Sequence, residues 1–430
     1  MSARRALVLV VAALAGACDD AAPDVPGACS VEERQRRPLA GPRAVDLLIV
    51  LDRTASMADQ DARLPEQAQA LINVLNTIPG GLPDMHLAVV TTDLGAAGVP
   101  GCTDGGDRAV LVDGERCGIA GRFLSDAPAA DGARVRNHQG TTADAFVCLL
   151  DLPRSTCPVS QPLAAIVRAL DGSVPANTGF RRHHAELAVV VVTDGDDCSL
   201  VDPAALAEAA GATDVEAAVD FACFARGTAC APVDPATLGP HRDCLPRADL
   251  GLIDVDATMR HLTRTLAPDP RLIIFSTLTG GADVFVGPGP RLMPTCLDGG
   301  AGPAARLRAA LIPNQTTHGS LCDRDWSDVL VLFAELLGGV YDPCFDPAID
   351  LQPLVPGLQP ECTAELTHVD GMVEILSPCT DPDREPGRPC LRPTDDSPAC
   401  PGRTAIEVDL DGALLVRGAW VDIRCARACP

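Results

Sequence analysis

The sequence predicts an α/β protein: a doubly wound, mostly parallel sheet with disulfide-rich insertions and a small β-rich C-terminal region. Short apolar runs alternate with segments of helical spacing, which is the pattern of parallel strands connected by covering helices. Apolar residues make up 47% of the 430 residues and aromatic residues only 3%, so aliphatic side chains must build the core. Aliphatic runs of this kind suit strands that are buried on both faces.

Four apolar runs predict the buried strands, because each is long enough for a strand and short for a helix. They cover residues 45–51 (VDLLIVL), 87–94 (LAVVTTDL), 187–193 (LAVVVVT) and 272–278 (LIIFSTL). Apolar residues at helical spacing predict helices over residues 64–78, 142–150, 162–170, 203–210, 214–224, 257–266 and 326–337. This alternation predicts one main domain over residues 44–340.

Two cysteine-containing stretches interrupt the alternation. Residues 95–140 are rich in Gly, Asp and Ala, and residues 198–250 carry four cysteines. We interpret both as disulfide-braced insertions in the main domain. Ahead of the domain, residues 19–43 are rich in Pro, Ala and charge without an apolar period, which predicts a flexible tether.

The character of the chain changes after residue 341, where proline and cysteine dominate. Two apolar runs, 405–410 and 413–423, flank Asp411-Gly412. Because Asp-Gly is typical of type I′ turns, these runs predict a β-hairpin. Residues 341–430 are therefore predicted to form a small disulfide-rich β tail.

The N-terminus has the features of an export signal. Arg4-Arg5 precedes an apolar run over residues 6–15, which is too short to cross a bilayer stably. The run leads into LAGAC, and small residues ahead of Cys18 resemble the bacterial lipobox. One departure is Ala15, at the place where the lipobox usually has Leu.

We therefore predict a signal peptide over residues 1–18 and a lipid on Cys18. The expected location is the cell envelope, at the outer membrane or surface. Secretion without a lipid is the first alternative, and an N-terminal helix of a cytosolic protein is the second.

The cysteine count agrees with export. Setting aside Cys18 leaves eighteen of the 19 cysteines, an even number that allows up to nine disulfides in an oxidising compartment. The sequence contains no CxxC and no HExxH, and its histidines do not pair with cysteines at zinc-finger spacing. Structural zinc and redox dithiol sites are therefore not favoured.

The net charge of −24 limits the partners of the chain. An acidic surface disfavours nucleic acid and anionic lipid, because phosphate binding needs clustered cations. We expect contact with a membrane only through the N-terminal lipid. The same charge is compatible with divalent cations, although most of it is expected to be a solvated surface.

Oxygen-bearing side chains follow the first apolar strand in the pattern Asp52, Thr54, Ser56. In doubly wound sheets, ligand sites form at the carboxyl ends of the strands. One carboxylate and two hydroxyls are hard ligands that suit Mg²⁺ and not Zn²⁺. The alternative is that Thr54 or Ser56 caps the following helix. A second strong strand ends in the same way, at Thr193-Asp194-Gly195.

The segments IVLDRTASM and VVVVTDGDD resemble the first and third metal-binding loops of von Willebrand factor A-like (vWA-like) domains, which have a Rossmann-type sheet. The resemblance covers roughly residues 43–339. It implies that Asp52, Thr54 and Ser56 hold Mg²⁺ (or Mn²⁺ or Ca²⁺) and that Asp194 acts from the third loop. Thr54 departs from the usual serine but keeps a hydroxyl.

The family's second loop supplies a threonine shortly before a helix. Thr156 precedes the helix that leads to the strand of Asp194, so the resemblance favours Thr156 in this role. Thr141 and Thr142 are alternatives, since they stand ahead of another helix. The chain is also similar to uncharacterised cysteine-rich vWA-like bacterial lipoproteins through QPLAAIVRAL, NTGF and LAVVVVTDGDDCS.

The resemblance implies binding or adhesion at the cell envelope, with a protein ligand that offers an acidic residue to the metal. No catalytic residue is nominated, and no G-x-S-x-G elbow is present. The alternatives are a surface-anchored enzyme with its site in the insertions or tail, and a structural envelope protein with a degenerate metal site.

Overall fold

The computed structural model describes residues 32–38, 44–77, 82–129, 133–182, 185–267, 273–296, 300–312, 315–338, 344–345, 362–368, 371–385, 387–394, 404–409 and 420–426. In chain order the strands are β1 Glu32–Pro38, β2 Ala44–Leu51, β3 Asp84–Thr91, β4 Leu124–Pro128, β5 Arg134–Arg136, β6 Glu186–Val192, β7 Thr228–Ala231, β8 Gly239–Pro246, β9 Ile273–Thr279, β10 Val284–Gly287, β11 Arg291–Leu292, β12 His318–Ser320, β13 Cys344–Phe345, β14 Cys362–Thr367, β15 Val373–Pro378, β16 Cys390–Thr394, β17 Thr404–Asp409 and β18 Trp420–Ala426. The α-helices are α1 Ala58–Asp61, α2 Leu64–Thr77, α3 Thr142–Leu150, α4 Pro162–Leu170, α5 Val215–Gly227, α6 Val255–His261, α7 Ala305–Ala309 and α8 Ser327–Gly338.

A seven-stranded sheet of the described residues organises the main domain, in the order β12-β9-β6-β2-β3-β4-β5. The first five strands in this order are parallel, and β4 and β5 extend the edge antiparallel. The mixed α/β class with a large, mostly parallel sheet is therefore confirmed. Strands β2 and β6, which are followed directly by the segments that carry the predicted site residues, are neighbours in the sheet.

The sheet is buried on both faces, as its aliphatic strands predict. Alternate residues of β2 enter two different cores: Leu47 and Ile49 pack into one, and Leu48 and Val50 into the other. Helices α2, α3 and α8 cover the first face, and α4 and α6 cover the second. Period-two alternation along a strand produces this division.

The predicted strand boundaries hold to within one residue for β2, β6 and β9. The second strand is different, since β3 spans Asp84–Thr91 and not 87–94. It ends early because the Asp93 carboxylate accepts the backbone N–H of Gly95, whose φ of 73° turns the chain away. The predicted helix over 203–210 forms two 3-10 turns, Pro203–Leu206 and Ala209–Gly211.

The two disulfides of the first insertion connect it to residues outside the insertion. Cys102 pairs with Cys157 and Cys117 pairs with Cys148, so each bridge fastens the insertion to a segment beyond residue 140. The second insertion does contain its own bridges, Cys198–Cys223 and Cys230–Cys244. Its strands β7 and β8 join β10 and β11 in a small four-stranded sheet.

The C-terminal strands form a second seven-stranded sheet of described residues, in the order β1-β18-β14-β15-β16-β17-β13. The turn of the predicted hairpin, Asp411-Gly412, lies outside the described residues, and the described strands on either side of it, β17 and β18, do not pair with each other. Strand β18 lies between β1 and β14, so neither of its edges is free to pair with β17. Strand β1 lies in the segment predicted as a flexible tether, which is therefore ordered over Glu32–Pro38.

Seven disulfides are present among the described residues, the others being Cys296–Cys322, Cys362–Cys425 and Cys379–Cys390. Such a number is typical of an oxidising, extracellular environment. In the described ranges no helix combines the length and apolar character needed to cross a membrane. The predicted signal peptide and Cys18 lie outside the described residues, as do Cys29, Cys400 and Cys429.

Candidate functional site

The ends of β2 and β6 place two predicted site residues side by side. Because the two strands are parallel neighbours, their carboxyl ends meet at one edge of the sheet. The backbone N–H of Asp52 donates to the carbonyl of Val192 over 2.9 Å. The Thr193 hydroxyl donates to Oδ2 of Asp52 over 2.6 Å, which holds a carboxylate that is only 1% exposed.

The turn after β2 brings two hydroxyls to the same place. Oδ1 of Asp52 accepts the backbone N–H of Thr54 over 2.8 Å. The Thr54 and Ser56 hydroxyl oxygens lie 3.1 Å apart, and Ser56 donates to Oδ1 of Asp194 over 3.1 Å. Thr54 precedes the 3-10 helix Ala55–Met57 without a side-chain cap bond, so the cap alternative is not what the structure shows for Thr54.

Four of the five predicted metal ligands therefore lie together, and the fifth does not. The Thr156 side chain is exposed, and its hydroxyl donates to the carbonyl of Gly101 over 2.6 Å. The bridge from Cys102 to the adjacent Cys157 holds this part of the loop against the first insertion. Pro158 and Ser160, from the same loop, line the site instead.

The two alternative threonines have other roles. Thr141 caps α3 by accepting the backbone N–H of Asp144 over 3.0 Å. The Thr142 hydroxyl donates to the buried carboxylate of Asp126, on the far edge of the sheet. Neither lines the cavity around Asp52.

A cavity of about 180 Å³ opens beside the four residues. Its walls are the turn after β2, the loop after β6, Pro158 with Ser160, the helix α5, and the loop 300–303. Glu216 and Asp220 of α5 also line it. Sequence reasoning missed both, although their spacing of four residues indicates one helix face.

Asp194 and Asp220, which line this cavity, have raised pKa values. Burial, followed by the charge of Asp52, raises the pKa of Asp194 to about 8, against the hydrogen bond from Ser56. Asp220 is an exposed residue at this cavity, and desolvation by the surrounding groups, followed by the charges of Glu216 and Asp52, raises its pKa. A cation among these oxygens would relieve the repulsion.

Asp196 has a structural partner. Its carboxylate accepts the backbone N–H groups of Arg306 and Leu307 over 2.8 and 3.0 Å, at the start of α7. Burial nevertheless raises its pKa to about 6. Asp196 is therefore held by the helix start, and its orientation is set by backbone donors.

A buried ion pair supports the loop after β6. The Arg306 guanidinium is fully buried and donates to Oδ2 of Asp197 over 3.0 Å. It also donates to the carbonyls of Gly227 and Ile253 over 2.9 Å each. Oδ1 of Asp197 accepts the backbone N–H of Leu163 over 3.1 Å. This network joins the loop of Asp194 to α4, α7 and the end of α5.

The donor set fits a hard divalent cation. Two carboxylates, Asp52 and Asp194, and two hydroxyls, Thr54 and Ser56, offer oxygens alone, which suits Mg²⁺, Mn²⁺ or Ca²⁺. Across the described ranges no three His, Cys, Asp or Glu side chains are grouped to hold a metal ion. Any cation here would therefore depend on the two hydroxyls as well as on the carboxylates.

No protein family matches the chain, and no curated protein matches it significantly. Among solved structures it is similar to a von Willebrand factor type A protein from Catenulispora acidiphila, with 11% identity, coverage of 94% of this chain and 66% of that one, and a TM-score of 0.31. It is also similar to proximal thread matrix protein 1 from the mussel byssus, with 8% identity, coverage of 70% and 49%, and a TM-score of 0.34.

A third similar structure is the pilus adhesin SpaC from Lactobacillus rhamnosus GG, with 9% identity, coverage of 92% and 40%, and a TM-score of 0.33. The chain spans about half the length of the mussel protein and less than half of the pilus adhesin. At scores and identities this low, the likenesses carry no argument about family, ligand or activity.

Proposed function

We propose that this chain is a vWA-like binding protein that holds a divalent cation at Asp52, Thr54, Ser56 and Asp194 and engages a protein ligand through it. One observation carries the proposal: side chains from the ends of two neighbouring central strands meet through the 3.1 Å bond from Ser56 to Asp194. These are the positions that the sequence pattern nominates.

The cation would be Mg²⁺, Mn²⁺ or Ca²⁺. When bound, it would act as a Lewis acid that accepts an oxygen ligand from outside the site. The chain's own residues orient the donors: Thr193 and the N–H of Thr54 hold Asp52, and the Arg306–Asp197 pair supports the loop of Asp194. An Asp or Glu of the partner is the expected outside ligand.

Two observations favour this function over the alternatives of an enzyme and an inert envelope protein. Asp52 and Asp194 are connected through Thr54, whose N–H donates to Asp52, and Ser56, which donates to Asp194, whereas a degenerate site would separate them. Asp194, Asp196 and Asp220, whose pKa values rise to between about 6 and about 8, all line the cavity at Asp52. A separate catalytic cleft would be expected to gather such groups elsewhere.

The proposed location is the cell envelope, with a lipid on Cys18 as anchor. The seven disulfides of the described residues support an oxidising compartment. Lipidation can be tested separately, by metabolic labelling with a fatty-acid analogue in wild type and Cys18→Ser.

Calorimetric titration of the oxidised full chain with Mg²⁺ or Mn²⁺ tests the cation site. We expect binding by wild type and by Asp328→Ala, which changes an exposed carboxylate on α8, and no binding by Asp52→Ala. A folded wild-type chain that binds neither ion would overturn the proposal. Equal binding by Asp52→Ala and wild type would overturn it as well.

A further inference from the structure

Helix α5 of the second insertion places a carboxylate against the turn that carries Ser56. Oε1 of Glu216 accepts the backbone N–H of Ser56 over 3.2 Å. The two residues are 160 positions apart, so only the packing of the insertion brings them together. Glu216 is half-buried in the first turn of α5, whose N-cap Asp214 accepts the N–H of Ala217 over 3.2 Å.

Several interactions keep α5 beside the cavity. The disulfide Cys198–Cys223 joins the helix to the loop after β6, and both cysteines line the cavity. Val219, on the same helix face, is buried in the cavity wall. At the C-terminal end of α5, the buried guanidinium of Arg306 donates to the carbonyl of Gly227 over 2.9 Å. This hydrogen bond holds the end of the helix in place. The helix is therefore fixed at both its middle and its end.

Glu216 lies close to other negative charges. It lies four residues before Asp220 on the same face, and like charges at this spacing destabilise a helix. It also adds negative charge beside Asp52 and Asp194, without a basic side chain among the residues that line the cavity. A divalent cation would turn this repulsion into attraction.

We propose that Glu216 is an internal ligand: when a cation is bound at Asp52, Thr54, Ser56 and Asp194, the Glu216 side chain turns to it from the N–H of Ser56 and supplies the acidic oxygen that a partner protein would otherwise provide. The inference rests on the proposed function. It adds a regulatory consequence: a partner's carboxylate competes with Glu216, so the affinity of the partner depends on how strongly the Glu216 side chain is held at the ion. The second insertion then sets the strength of ligand binding.

Mn²⁺ titration of the oxidised full chain, together with EPR in ¹⁷O-labelled water, separates coordination from general charge. The EPR line broadening reports how many water molecules the bound ion carries. The variants are Glu216→Ala, which removes the ligand oxygen, since a glutamine carbonyl could still coordinate the ion, and Asp220→Asn, which removes an equal charge from the same helix face. Glu208→Gln is the control for an exposed carboxylate in the same insertion.

We expect Glu216→Ala to lower Mn²⁺ affinity by about tenfold or more, because affinity at oxygen sites follows the number of charged ligands. The ion should also carry one more water molecule than in wild type. Asp220→Asn should weaken binding through charge alone and leave the water number unchanged, and Glu208→Gln should match wild type in both.

An unchanged water number in Glu216→Ala would overturn the internal-ligand proposal, even if affinity fell as far as in Asp220→Asn. This result would leave the cation site itself intact, since Asp52→Ala tests that site independently. If Asp52→Ala binds Mn²⁺ as wild type does, the proposed function fails first, and the role of Glu216 fails with it.

Discussion

The Ser56 hydroxyl donates to Oδ1 of Asp194 over 3.1 Å, although 138 positions separate the two residues in the chain. This bond exists because β2 and β6 are parallel neighbours whose carboxyl ends coincide. It joins the turn after β2 to the loop after β6, which are the two segments of the proposed cation site.

The first prediction compares the effect on Mn²⁺ affinity of two proposed cation ligands, Ser56 and Asp194, with that of Thr156, which lies outside the candidate site. Ser56→Ala and Asp194→Asn should each lower Mn²⁺ affinity by about tenfold or more, since each removes an oxygen or charge from the proposed ligand set. Thr156→Ala should leave the affinity at the wild-type value, because the Thr156 hydroxyl is directed to Gly101. Calorimetry on the oxidised chain measures all three, and a large loss in Thr156→Ala would contradict the placement of that loop.

The second prediction concerns the buried pair of Arg306 and Asp197. Replacing Arg306 by Met should lower the free energy of unfolding by about 3–5 kcal/mol, because it leaves a buried carboxylate and several carbonyls without their donor. Denaturant unfolding with the disulfides intact measures the loss. The matched control is Arg247→Met, which removes a partly exposed guanidinium paired with exposed Asp249. Equal stability of the two variants would argue against the network.

The third prediction ranks two disulfides by the length of chain they close. Cys102–Cys157 spans 55 positions and Cys230–Cys244 spans 14. Loop-closure entropy predicts losses of about 4 and about 3 kcal/mol when each pair is replaced by alanine. Denaturant unfolding of the two double variants provides the comparison, and a larger loss at Cys230–Cys244 would contradict this order.

The fourth prediction uses His318, whose Nδ1 lies 2.9 Å from the Thr277 hydroxyl. Burial, with a smaller effect of the Arg308 charge, lowers the pKa of His318 from 6.5 to about 4. Between these values the unfolded chain binds a proton that the folded chain does not, so the stability contributed by neutral His318 is lost as pH falls from 6.5 to about 4.

His318→Asn keeps a polar atom near Thr277 but cannot take up this proton. The free energy of unfolding should therefore fall less steeply in this variant than in wild type as pH drops through that window. Urea titrations at several pH values measure the two slopes, and carboxylates that titrate in the same range cancel in the difference. Parallel slopes would show that His318 does not carry the effect.

The strands were predictable because burial on both faces requires continuous aliphatic runs. Residues 45–51, 187–193 and 272–278 all became strands shifted by no more than one residue. The second strand was displaced because the turn at Asp93 and Gly95 is made by a side-chain hydrogen bond. The apolar run alone does not mark that turn. The two tail strands β17 and β18 do not pair for a different reason. Both edges of β18 already pair with β1 and β14, and a sequence pattern does not show which strand edges are free.

The residues of the candidate site also fall into those that could be predicted and those that could not. The α/β class, the strands, and the nomination of Asp52, Thr54, Ser56 and Asp194 could be predicted, because they depend on local periodicity and on residues that directly follow a strand. The packed chain was needed to show that Thr156 points away from the cavity and that Glu216 and Asp220 line it. Those directions depend on disulfide-held loops and on the docking of an inserted helix, and such long-range packing has no local pattern in the chain.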